Sequence, residues 1–113
     1  MPGKYAKPDG RLLLALDEHA AAGCVAMRKL VPGIAEMKRL YVRPAFQGSG
    51  IGRRLIEMII NEASQSGYSK LRLDTHPPKM GKAVRLYESH GFHPIPPYYV
   101  NPHSNVLFME LSL

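Results

Sequence analysis

Cysteine is nearly absent. Cys24 is the only one in 113 residues, which excludes an internal disulfide and any zinc site built from several thiolates. Long hydrophobic runs are absent too. The longest aliphatic stretch, Leu12 to Leu16, falls far short of the roughly 18 residues that cross a bilayer. No basic start followed by an apolar stretch stands at Met1, so the expectation is a cytoplasmic protein with no membrane partner. Acids are scarce where bases crowd. From Met27 to Arg54 there are seven basic residues, Arg28, Lys29, Lys38, Arg39, Arg43, Arg53 and Arg54, against the single acid Glu36. Aromatics make up 8% of the chain, too few between those bases to favour a nucleic-acid surface. Five histidines are present, but Gly91 and Pro94 break any helix that would align His90 with His93. No metal is expected.

What is present is a globular balance: 45% hydrophobic, 21% charged, and a formal charge of +6. This fits one domain over residues 1–113, with 1–10 an irregular lead-in carrying Pro2, Gly3, Pro8 and Gly10. The local basic excess fits phosphate binding at one place, or a solvated basic face.

Arg11 to Leu16 reads as a short buried-type strand. Asp17 to Gly23 reads as turn-like and Cys24 to Leu30 as a second strand, with Val31-Pro32-Gly33 a tight connection to a third over Ile34 to Val42. In the third, Met37, Arg39 and Tyr41 alternate with Glu36, Lys38, Leu40 and Val42. The short links predict an antiparallel meander. Pro44 ends it. From Gly50 to Ser66, Ile51, Leu55, Met58, Ile59 and Ala63 recur at helical spacing, Arg53 stands one turn before Glu57, and Gly67 is a natural stop. Leu71, Leu73 and Thr75 alternate in a fourth strand. A helix between two strands predicts a parallel crossover, hence a mixed, mostly antiparallel sheet of α/β (α+β) type. Met80, Ala83, Val84 and Tyr87 have the spacing of a second helix, which Gly91 ends with Phe92 folding back. His93 to Pro102 holds four prolines and is no ordinary central strand. Asn105 to Leu113 closes as the last strand.

Chemistry concentrates at Gln47-Gly48-Ser49-Gly50-Ile51-Gly52, between a strand and the strongest helix. Its glycines let backbone approach a ligand, and the helix N-terminus favours an anion. Arg53 and Arg54 follow at once. The segment is not a P-loop, and the third glycine of a dinucleotide fingerprint would fall on Arg53. It reads as a pyrophosphate cradle, or as a glycine-rich turn capping a core helix.

Val42-Arg43-Pro44-Ala45-Phe46-Gln47-Gly48-Ser49-Gly50-Ile51-Gly52 closely resembles the acetyl-CoA loop of the GNAT N-acetyltransferases, and Leu86-Tyr87-Glu88-Ser89-His90-Gly91-Phe92 resembles their second helix. Glu36 to Val42 is similar to their central strand. The resemblance covers roughly Arg11 to Leu113 and implies the acyl-CoA N-acyltransferase fold. It also implies acetyl-CoA as co-substrate and direct attack of a primary amine, from a small molecule or a peptide, on the thioester. A splay between third and fourth strands is implied, with Leu40, Tyr41 and Val42 offering main chain to cofactor and oxyanion. The cofactor contacts implied beyond these are Gln47, Gly48, Ser49, Gly50, Ile51, Gly52 and Arg53. Glu36 matches the general base of the histone-acetyltransferase branch, Asp74 the base position of another branch, and Tyr87 the acid beside the sulfur. Each also has a structural role open to it: an ion pair for Glu36, a strand-end hydrogen bond for Asp74, core packing for Tyr87.

The family's opening strand and two helices have no counterpart ahead of Arg11, and its asparagine before the last helix has none in His76-Pro77-Pro78-Lys79-Met80. An N-terminally shortened fold is therefore expected. It would under-cover Leu12, Leu13, Leu14, Leu16, Val25 and Met27 and favour a homodimer. A CoA-binding module with little catalytic activity is the alternative to an enzyme. Tyr98 and Tyr99 are expected to border the acceptor slot.

Overall fold

Three strands pair in chain order before any helix forms. In the computed structural model, which describes residues 10–17, 20–75, 77–100 and 106–113, β1 (Arg11–Asp17) runs antiparallel to β2 (Ala20–Val31), and β2 antiparallel to β3 (Ile34–Val42). Gly33, at φ 82°, makes the tight turn between the last two. The turn expected over Asp17 to Gly23 is thus shorter: the chain is already a strand at Ala20. Gly23, which read as a turn residue, marks a close approach within the strand instead. A Cβ there would meet the Tyr41 carbonyl oxygen at 2.6 Å, so only glycine lets β2 lie so near β3.

The regular alternation expected along β3 also breaks. The pairing of β2 with β3 slips by one residue between Cys24↔Tyr41 and Ala26↔Lys38, and Arg39 takes φ 58°. This is a β-bulge. It returns Leu40 and Val42 to the apolar side, where they pack against the same core as Ala35 and Met37. Strict alternation would have aligned them with Glu36 and Lys38.

The first helix, α1 (Ile51–Gln65), buries Leu55, Ile56, Ile59 and Ala63. It ends as its sequence predicts: Gly67 is left-handed at φ 90°, and the Tyr68 N–H donates to the Ala63 carbonyl at 3.1 Å. Parallel to β3 runs β4 (Lys70–Thr75). The second helix, α2 (Pro77–Ser89), closes in the same way. Gly91 stands at φ 95°, the Phe92 N–H donates to the Tyr87 carbonyl at 3.2 Å, and the two rings meet edge-on at 5.8 Å. Glu57 faces His90 across the helices at 3.1 Å rather than Arg53 one turn before it. The last strands, β5 (His93–Ile95) and β6 (Leu107–Ser112), give a sheet of order β1-β2-β3-β4-β6-β5. The proline-bearing β5 lies at the edge, where a missing N–H costs least.

The sheet's two faces differ in kind. Val25, Met27, Ala35, Met37, Leu71, Leu73 and Met109 form one core with the buried sides of both helices. Truncating Ile56 or Ile59 within it would cost about 2–5 kcal/mol. Arg28, Glu36, Lys38, Arg72, Asp74 and Glu110 alternate with these residues along the strands and form a polar layer on the opposite face. Only part of the expected bare apolar surface therefore exists among the described side chains. Val25 and Met27 are fully covered and Leu13 packs on the core, while Leu12 and Leu14, pointing the other way, are 52% and 58% exposed.

Candidate active site

The parallel partners β3 and β4 are paired only at Ile34↔Lys70, Ala35↔Leu71 and Glu36↔Arg72. Beyond Glu36 both strands continue, to Val42 and Thr75, without pairing. The gap holds a cleft of about 170 Å³ lined by Met37, Lys38, Arg39 and Leu40 from β3, Leu73, Asp74 and Thr75 from β4, and Tyr87 from α2. Main-chain groups of β3 that would have joined a ladder with β4 border this opening instead.

Tyr87 reaches the cleft from the helical side. Its ring is buried against Phe92, and its hydroxyl makes no hydrogen bond to another described residue. Burial and then the charge of Asp74 push its pKa up to about 12. Asp74 lies on the opposite face. Its Oδ1 accepts from Lys38 Nζ at 2.9 Å and its Oδ2 from the Tyr99 hydroxyl. Burial works to raise the Asp74 pKa, but the hydrogen bonds from Tyr99 and Lys38 and the Lys38 charge outweigh it and hold the carboxyl below its ordinary value. Lys38 shows the reciprocal effect: burial opposes its charge, yet Asp74 and Glu36 together raise its pKa.

Glu36 is 1% exposed and does not line the cleft. Its Oε1 accepts from Arg28 Nε at 2.9 Å and its Oε2 from the Tyr98 hydroxyl at 2.6 Å, with Lys38 Nζ 3.7 Å away. Lys38 thus joins the two carboxylates that the sequence puts forward as rival bases. The segment after β5 and β6 supply the cover: Tyr98 and Tyr99 of the segment and Phe108 of β6 form an edge-to-face trio with centroids 5.0–5.5 Å apart. Arg72 lies over Tyr98 and Lys38 over Tyr99.

At the far end of β3, Pro44–Phe46 makes a single 3₁₀ turn and the glycine loop follows. Gly48 and Gly50 are left-handed, at φ 81° and 88°, and Gln47 Nε2 donates to the Val42 carbonyl at 3.2 Å. Helix α1 starts with no side-chain cap and no acid in its first turn. The N–H groups of Ile51, Gly52 and Arg53 are therefore free to meet an anion. A Cβ on Gly48 or Gly50 would meet nothing within 4 Å, so the space before the loop is open. Behind it, Gly52 seats α1 close to Val42 and Leu86. Donors, an open approach and the cleft all lie toward the C-terminal end of β3, an arrangement that fits a long phosphate-bearing ligand lying along the strand.

Residues 8–94 match the acetyltransferase (GNAT) domain. The chain belongs to the GNAT acetyltransferase family. An uncharacterised N-acetyltransferase of Schizosaccharomyces pombe is 47% identical over 112 residues, covering 97% of this chain and 68% of that protein. An IAA acetyltransferase of Azospirillum brasilense is 40% identical, covering 96% and 71%. A GNAT family acetyltransferase of Elizabethkingia anophelis, solved with acetyl-CoA bound, superposes with a TM-score of 0.78 at 24% identity, covering 93% of this chain and 77% of that one. The mixed six-stranded sheet is the GNAT fold that the sequence predicts.

Among the described residues of this GNAT domain there is no group of three His, Cys, Asp or Glu able to hold a metal, and no helix is long and apolar enough to cross a membrane. The structure brings Asp74 and Tyr87 to one cleft and leaves Glu36 outside its lining. Lys38 and Thr75 line the cleft without having been singled out as site residues. Alternation along β3 already put Lys38 on the Glu36 face; its meeting with Asp74 needed the β3–β4 register.

Proposed function

We propose that this chain transfers the acetyl group of acetyl-CoA to a primary amine within the β3–β4 cleft. The observation that carries the reading is that Tyr87 of α2 and Asp74 of β4 line one opening beside β3, the strand that leads to the glycine loop.

The glycine loop and Arg53 would hold the pyrophosphate, and β3 from Leu40 to Val42 would hydrogen-bond the pantetheine arm. Bound acetyl-CoA supplies the thioester: the amine nitrogen bonds to the acetyl carbon, the carbon–sulfur bond breaks, and the amine proton ends on the released thiol. A main-chain N–H of β3 near Leu40 or Tyr41 would face the carbonyl oxygen as it gains charge. Lys38, a fixed cation beside Asp74, disfavours a second cation and so favours the reactive neutral amine. Asp74 accepts the nitrogen's proton, which becomes strongly acidic once the new bond forms, directly or through a water. Tyr87 faces the sulfur. Its pKa of about 12 lies above that of an ordinary thiol, about 8.5, so it donates a hydrogen bond that stabilises the departing thiolate, and the proton taken up by Asp74 passes through water to the sulfur, which leaves as the thiol. Glu36, held by Arg28 and Tyr98, fixes Lys38 and the aromatic cover.

The test is incubation with acetyl-CoA and a panel of small amines, amino acids and peptides, reading thiol release and acetylated product together. Amine-dependent product supports an enzyme. CoA binding without product on any amine supports the CoA-binding module instead.

A further inference from the structure

Each Asp74 carboxylate oxygen already has a donor: Lys38 on Oδ1 and Tyr99 on Oδ2. An amine that takes Asp74 as its main partner competes with one of them. We infer that the Tyr99 hydroxyl keeps the place of the acceptor amine on Asp74 Oδ2, and that the acceptor is a primary amine with a compact apolar or aromatic body. This rests on the acetyl-transfer reading above.

Tyr99 is the partner that yields, for three reasons. Its hydrogen bond is made by a neutral donor, whereas that of Lys38 joins two opposite charges and is the stronger kind. Lys38 is also held by Glu36 at 3.7 Å. Finally, Tyr99 is 38% exposed and followed by Val100 at 94% exposure, so its ring has a path to solvent once its contacts with Tyr98, Phe108 and Lys38 are given up. Its neighbour Tyr98 is held more firmly. The Tyr98 hydroxyl is bound to the buried Glu36 carboxylate at 2.6 Å, and its ring is pinned between Phe108 at 5.0 Å and Arg72 at 5.3 Å. One tyrosine anchors the segment and the other is exchangeable.

Withdrawal of Tyr99 uncovers the edges of Tyr98 and Phe108 beside the vacated oxygen, an apolar wall suited to a flat or branched hydrocarbon body. Arg28, Lys38 and Arg72 stand around that wall, so an extended polycation is disfavoured there by like charge.

Calorimetric titration of the CoA-loaded protein with phenethylamine and with spermidine tests this, in wild type, Tyr99→Phe and Asp74→Asn. Tyr99→Phe keeps the ring and removes the competing hydroxyl, so phenethylamine should bind about three- to tenfold more tightly. Asp74→Asn should weaken it by at least that factor, and spermidine should bind wild type more weakly than phenethylamine does. Unchanged or weaker phenethylamine binding in Tyr99→Phe overturns the inference, because a wall residue that donates to the amine would behave that way. So does the absence of phenethylamine binding to wild type. A CoA-induced rise in melting temperature, measured on the same samples, separates the failures: with the rise and no amine binding only this inference falls, and with neither the acetyl-transfer reading falls too.

Discussion

Lys38 Nζ lies 2.9 Å from Asp74 Oδ1, across a gap where β3 and β4 have ceased to pair. Two strands that share no ladder at this point are joined by an ion pair, and the pair sits at the mouth of the cleft. Removing Asp74 leaves Lys38 with the more distant Glu36, and removing Lys38 leaves Asp74 with the neutral Tyr99 hydroxyl. Asp74→Asn is expected to lower kcat/KM for the amine by ten- to a hundredfold or more, while the CoA-induced melting shift persists. Glu36→Gln is expected to act mainly on stability, costing about 3–5 kcal/mol by breaking a buried ion pair. If Glu36→Gln instead flattens the pH–rate profile in a protein of normal stability, the base is Glu36.

The same pair shapes stability at both ends of the pH scale. The Asp74 and Glu110 pKa values are lowered in the fold: burial opposes this, and the hydrogen bonds from Tyr99 and Lys38 to Asp74, and from Arg72 and Lys70 to Glu110, prevail. Their contribution is present above the unfolded carboxylate value of about 4 and is lost as pH falls through the lower folded values. The Lys38 pKa is raised, so its contribution is complete below the unfolded lysine value of about 10.4 and lost as pH rises through the folded one. Urea midpoints should therefore hold level in between and fall at both ends. Asp74→Asn should flatten both falls, modestly because the pair is partly solvated and salt-screened. An Asp74→Asn variant whose two falls are as steep as in wild type would remove Asp74 from this account.

Tyr87→Phe keeps the ring contact with Phe92 and removes a hydroxyl that has no described hydrogen-bond partner. Stability should change by less than about 1 kcal/mol. Turnover should fall at least tenfold with CoA affinity nearly unchanged, as measured by kcat against the CoA-dependent melting shift. A variant with wild-type turnover would leave Tyr87 as a core residue.

The glycines make separable predictions. Gly50→Val forces a β-branched residue to φ 88° and points its side chain into the open space before the loop. It should abolish the CoA-induced melting shift, which for wild type at a hundredfold excess over Kd reflects a stabilisation of about 2.7 kcal/mol. An undiminished shift would overturn the phosphate-cradle role. Gly91→Ala, at φ 95° with a Cβ 3.1 Å from Leu111 Cδ1, should cost about 1–2 kcal/mol in urea unfolding and leave that shift intact.

What was legible in the sequence was local. The spacing of Leu55, Ile59 and Ala63, the stops at Gly67 and Gly91, and the fold-back of Phe92 depend on neighbours within a turn or two, and the structure has them as read. The bulge at Arg39 was not legible, because it is a matter of register between β2 and β3, set across strands and not within one. The start of β2 at Ala20 was missed for the same reason: a glycine needed for contact looks like a glycine needed for a turn. At the site, the residue types at positions 36, 74 and 87 were legible. Their division was not, since Glu36 is enclosed by Arg28 and Tyr98 while Asp74 lines the cleft, and that depends on register across the sheet.

The most direct measurement of the central claim is acetyl-CoA turnover with a panel of primary amines, wild type beside Asp74→Asn and Tyr87→Phe, with free thiol and acetylated product quantified in the same samples. The account predicts equal, amine-dependent release of thiol and product by wild type, and a fall of at least tenfold in each variant with CoA binding retained. Thiol and product formation that persists undiminished in both variants would contradict it, as would a wild-type protein that binds CoA and acetylates none of the amines.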